Sequence, residues 1–111
     1  MNEDRATAAF AALSHPARLT VFRLLLREGR AGLAAGAIGT ALDLPASTLS
    51  GHLAQLARAD LIRFERRGTS LIYRADLDGT RALLSFLLED CCGGRPEICQ
   101  PVTEGLSRNS A

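Results

Sequence analysis

A mainly helical α+β fold, of about five helices and a two-stranded β-hairpin, is predicted by three features of this 111-residue chain. Leu49, Leu53 and Leu56 recur at i, i+4 and i+7, which sets them on one face of a helix. After Asp60 the period switches to alternation. Ile62 and Phe64 alternate with Arg63 and Glu65, Arg67-Gly68-Thr69 forms a turn, and Ser70 to Arg74 returns with Leu71, Ile72 and Tyr73. The third feature is composition: 47% of residues are apolar and 5% aromatic, a Leu/Ala-rich chain with one modest core.

The elements follow in order. Glu3 to Leu13 reads as a short Ala-rich helix whose largest apolar groups are Phe10 and Leu13. Ser14 is expected to cap a second helix, with Pro16 in its first turn, where a missing N–H costs nothing. Leu19, Phe22 and Leu26, with Val21 and Leu25, form its broad apolar stripe, and Gly29 ends it. Leu33 to Leu42 reads as a helix weakened by Gly36 and Gly39, and Asp43-Leu44-Pro45 turns the chain into the helix bearing Leu49. After the hairpin, Asp78 or Thr80 is expected to cap a last helix running to about Asp90. Its Leu83, Leu84, Phe86, Leu87 and Leu88 make a band wider than one small domain can bury, which points to a partner chain. With the first helix it would form a two-fold interface through Phe10, Leu13, Leu83 and Leu87.

The outer face of the Leu49 helix is small and polar. Ser47, Gly51 and Arg58 lie opposite the leucines, with Thr48, Ser50 and Gln55 beside them. Small side chains let a helix sit deep in a major groove, where hydroxyls reach phosphates and base edges. His52 lies about 60° from the leucine stripe, at the edge of that face. Arg66 and Arg67 tip the hairpin. Between Ser50 and Arg74, five arginines against Asp60 and Glu65 leave +3, whereas the chain from Ala75 onward carries −3 and the whole only +1. The basic part is thus the DNA-facing part, with Ser47, Thr48, Ser50, Gly51, His52, Gln55, Arg66 and Arg67 as candidate contacts.

The run Ser47-Thr48-Leu49-Ser50-Gly51-His52-Leu53, then Leu56, Ala59-Asp60-Leu61-Ile62, Arg66-Arg67-Gly68 and Tyr73, resembles the ArsR/SmtB family of bacterial winged-helix repressors. The resemblance covers roughly Leu13 to Leu88, with Asp60 standing where the family usually has Gly. It implies a winged helix-turn-helix homodimer that represses transcription from an inverted-repeat operator on double-stranded DNA.

Cys91, Cys92 and Cys99 are the only cysteines, spaced C-C-x₆-C. An odd, clustered set argues against a disulfide framework. Three soft thiolates with no nearby His fit a three-coordinate pyramidal ion, As(III) or the chemically similar Sb(III). Gly93-Gly94 lets Cys99 fold back onto the pair. Zinc wants a fourth ligand, and Glu89, Asp90 and Glu97 are near, so a Zn- or Cd-responsive site stays open, as does thiol redox sensing. The resemblance sharpens this. Positions where many arsenic-responsive relatives carry cysteines hold Ala34, Gly36 and Gly39. The zinc-type site on the last helix is also missing, since Asp78 and Arg81 are followed by leucines. What remains resembles a third arrangement, in which C-terminal cysteines bind As(III).

No Ser-His-Asp set, phosphate-binding Gly loop or paired carboxylates suggest an enzyme. The expected organisation is a DNA-binding and dimerisation domain over 1–90, a cysteine sensor over 91–99 and a flexible tail over 100–111. No organic cofactor is expected. No apolar run approaches the ~20 residues of a membrane helix, and the N-terminus lacks a signal-peptide core, so a cytoplasmic location is expected with no membrane contact.

Overall fold

The computed structural model describes residues 1–91, with side chains through Glu89. Its elements are α1 (Glu3–Leu13), α2 (Pro16–Glu28), a 3₁₀ turn (Gly29–Ala31), β1 (Leu33–Ala34), α3 (Ala35–Leu42), α4 (Ala46–Arg58), β2 (Ile62–Arg67), β3 (Ser70–Ala75) and α5 (Leu77–Cys91). This is the expected five-helix α+β architecture with one addition. Leu33 and Ala34, expected to begin a helix, instead pair antiparallel with Tyr73 and Ile72, so the hairpin becomes a three-stranded sheet of order β1-β3-β2. Two residues are too few to show a period of their own.

The helix ends differ in detail from expectation. Ser14 is not the cap of α2; it closes α1, its hydroxyl donating to the Ala11 carbonyl. His15 caps α2 instead, its Nδ1 accepting from Ala17 N–H at 3.2 Å. Asp76, rather than Asp78 or Thr80, organises the start of α5: Oδ1 accepts from Gly79 N–H at 3.0 Å and its carbonyl accepts from the Thr80 hydroxyl. Gly29 ends α2 at φ 64°, in the left-handed region open to glycine.

The core lies where α2, α3, α4 and the sheet converge, and its largest fully buried side chains include Val21, Leu25, Ile38, Leu53, Leu56 and Leu61. Burying a Leu or Ile contributes about 1.5–3 kcal/mol each, so the stripe of α4 is what fixes that helix in place. α3 packs on α4 at Gly39, where a Cβ would stand 3.1 Å from the Leu44 carbonyl. Among the described residues no polar or charged residue is buried as a whole. No helix among them is long and apolar enough to cross a membrane.

Three elements meet at the turn after α4. Asp60 takes φ 60°, which explains the fit of Gly at such a position. Its carboxylate pairs with Arg5 of α1 at 2.6 Å. Its carbonyl lies against Gly79 of α5 so closely that any side chain there would collide with it. Asp76 N–H also donates to the Leu61 carbonyl at 2.9 Å. The start of α5 is therefore fastened to the end of α4.

Candidate nucleic-acid interface

α4 buries Leu49, Leu53 and Leu56, and the remaining turns face outward. Ser47, Thr48, Ser50, Gly51, Gln55 and Arg58 are all exposed. A Cβ on Gly51 would meet nothing within 4 Å, so glycine is not required there for packing; it keeps the face low. The surface is thus a shallow strip of hydroxyls and an amide ending in a guanidinium. His52 is half-buried at the flank of this strip, its ring 4.6 Å from that of His15 at the start of α2. Burial pushes the His52 pKa below its ordinary 6.5, and the neighbouring His15 and Arg18 push it the same way.

The wing is a six-residue antiparallel pair, registered from Ile62 opposite Ala75 to Arg67 opposite Ser70. Gly68, at φ 61°, makes its two-residue turn possible. Phe64 and Tyr73 stack across the strands at 5.4 Å. The two expected arginines are not equivalent. Arg67 is held along the strand by Glu65 at 2.9 Å, and Glu65 also receives Arg74 at 3.5 Å. Arg66 has no ion-pair partner among the described residues and projects from the exposed strand end. Nothing in the periodicity marked Glu65 as the residue that tethers its neighbours. Arg58 lies on this outer face, as its spacing predicts, and Arg18 stands at the start of α2, where the family resemblance gives His15-Pro16-Ala17-Arg18 a packing or phosphate-contacting role.

On the helices away from the wing, Phe10 is 41% exposed on α1 and Leu84 and Leu87 are each 42% exposed on α5. Leu13 is half-buried. Leu83 is only 5% exposed and belongs to the protomer's own core, so it is not free to meet a partner as expected; Leu84, one position on, is the leucine that faces outward. The correction is one of helical phase: the broad leucine band left two adjacent positions indistinguishable by spacing. Cys91 ends α5, and Cys92 and Cys99 lie outside the described residues. Among the described residues no group of three His, Cys, Asp or Glu side chains is placed to hold a metal ion.

A helix presenting a small polar strip beside an arginine-tipped hairpin defines a DNA-binding winged-helix protein. Comparison with known proteins agrees. A helix-turn-helix domain family matches residues 13–63. The HTH-type transcriptional regulator YgaV of Escherichia coli (strain K12) is 30% identical over 89 residues, 80% of this chain and 88% of that protein. Among solved structures, a homodimeric winged helix-turn-helix DNA-binding domain from Mycobacterium bovis, described as a possible ArsR-family transcriptional regulator, is 27% identical. It covers 87% of this chain and 84% of its own, with a TM-score of 0.64. An ArsR-like transcriptional regulator from Rhodococcus sp. RHA1 superimposes at a TM-score of 0.70 over 93% of this chain and 92% of its own, and at 22% identity it speaks for the fold alone. The chain belongs to the ArsR family of winged-helix transcriptional regulators, and it is a DNA-binding regulator of transcription.

Proposed function

We propose that this chain is a homodimeric repressor that leaves its operator when As(III) binds Cys91, Cys92 and Cys99. The exposed face of α4 carries the DNA half of this reading. Ser47, Thr48, Ser50, Gly51 and Gln55 enter the major groove with His52 at their flank, while Arg66 and Arg67 hold phosphate beside it.

Dimerisation is supported by the exposed apolar side chains on α1 and α5, two helices that pack against each other. Leu77, Leu84 and Leu87 fall within roughly 80° of helix α5, and each is more than 40% exposed. The Mycobacterium bovis neighbour is described as homodimeric, in keeping with that stripe. A two-fold dimer presents two α4 helices and demands an inverted repeat.

The sensor half rests on the chemistry of the thiols and on Cys91 being the last residue of α5. Arsenous acid exchanges its three hydroxyls for three thiol sulfurs: three As–S bonds form, three As–O bonds break, and the thiol protons leave with the hydroxyls as three waters. Sb(III) would react alike. Tying the segment after α5 to the helix end biases α5, and α5 is fastened at its other end to the α4 exit through Asp76 and Gly79.

An anisotropy titration tests the DNA-binding claim. The chain is titrated onto an inverted-repeat duplex selected from a random pool and onto a scrambled duplex of equal composition. The expected preference for the inverted repeat is about a thousandfold or more, by a dimer in sedimentation. Equal affinity for the two duplexes removes the repressor reading.

A further inference from the structure

α4 has two flanks. On one, Ser50 faces α3 and the wing strand β3. On the other, α4 faces α1 and the start of α2 across a cavity of about 430 Å³ lined by Ala8, Ala11 and Ala12 of α1, Arg18 of α2, and Gln55 and Arg58 of α4. Two arginines and a glutamine thus share a space with alanines and with no acidic residue. Arg18 and Arg58, like Arg23, Arg27, Arg30 and Arg66, take part in none of the ion pairs among the described residues, which engage Arg5, Arg63, Arg67, Arg74 and Arg81. Moreover, the Arg18 Nε is buried with no hydrogen-bond partner among the described residues. A buried cationic donor left unmatched is costly, and an anion is the group that satisfies it.

The anion is identified by where the cavity opens. Gln55 and Arg58 are exposed residues of the same strip that carries Ser47 and Gly51. An α-helix is about 10–12 Å across and the major groove about 12 Å wide, so a helix lying in the groove has a phosphate strand along each flank. The wing stands on one flank. The cavity with Arg18 and Arg58 stands on the other. It is also turned away from the apolar residue of α1 set for a partner chain, since Phe10 lies roughly 160° around the helix from Ala8. We propose that Arg18 and Arg58 together hold a backbone phosphate of the DNA strand opposite the wing, with Gln55 at the rim of the same site. This deepens the reading of α4 as the groove helix and rests on it. The small alanines of α1 leave the room, and the two arginines supply charge without reading bases.

Duplex affinity measured across a salt series decides the matter, using the full chain and its Arg18→Gln, Arg58→Gln and Arg58→Lys variants. Each Gln variant is expected to lower the slope of log K against log salt by about one unit. Affinity for the inverted-repeat and scrambled duplexes should fall by the same factor, leaving their ratio unchanged, and Arg58→Lys should keep the parent slope. Far-UV circular dichroism and a thermal melt monitor folding; if Arg18→Gln fails to fold, the exposed Arg58→Gln decides alone. An unchanged slope in Arg58→Gln overturns the proposal, as does a changed inverted-repeat preference at constant slope. The slope is read on the scrambled duplex too. Loss of operator preference in the parent would therefore sink the repressor reading without touching this test.

Discussion

His52 shows how one residue couples stability to pH in this chain. Its ring is wedged against His15, with Arg18 beside it, and burial first and these neighbours second disfavour its charged form. The folded pKa lies below 6.5, so the folded state binds fewer protons than the unfolded chain. The stability this preserves is fully present above 6.5 and is lost as pH falls through the folded value. The DNA-free parent should therefore lose melting temperature over that acidic window faster than His52→Gln. Identical pH profiles for the two would contradict it. The partner of His52 was hidden in the sequence, because residues 15 and 52 are brought together only by the packing of α2 on α4. The caps were nearly legible. Ser14 and His15 are neighbours, and Asp76 and Asp78 are chemically alike, so propensity located each helix start to within two residues but could not select which side chain turns inward.

At the scale of elements, α4 and the hairpin were readable because each combines a strong period with a buried face. Leu49, Leu53 and Leu56 fix the rotation of α4, and that rotation alone exposes Ser47, Gly51 and Gln55. The strand β1 was not readable, since it exists only by pairing with Tyr73 and Ile72. The wing carries charge relations that alternation cannot reveal. Glu65 restrains Arg67 and Arg74, and these exposed pairs contribute at most about 1 kcal/mol to stability. Glu65→Gln should thus leave the fold intact and tighten DNA binding, because it removes a negative charge beside the phosphates and releases Arg67. Arg66→Ala should do the reverse, lowering the salt slope by about one unit. Anisotropy across a salt series checks both, and weaker binding by Glu65→Gln would show that its ion pairs hold the wing in its DNA-binding shape.

At the scale of the molecule, α5, whose last residue Cys91 opens the proposed sensor, and α4, whose outer face reads DNA in this proposal, are elements that share fastenings. α5 starts beneath the Asp60 carbonyl, and α1 grips the same turn through Arg5. The helices with outward apolar side chains are thereby linked to the end of α4, so a changed α5 can change the spacing of two α4 helices in a dimer. The three thiols were the most legible chemical feature of the sequence, yet a spacing of C-C-x₆-C names a ligand class and not a conformational path. A ligand that prefers one arrangement by about 1–3 kcal/mol changes operator affinity roughly 5–150-fold. The decisive measurement follows DNA anisotropy and free thiols together while arsenite is added to the operator complex. The parent should release DNA as one As(III) per chain consumes three thiols, and Cys91→Ser, Cys92→Ser, Cys99→Ser and the triple variant should bind DNA as the parent does and ignore arsenite. Release by the triple variant, or a parent that keeps its operator with all three thiols consumed, would contradict the account.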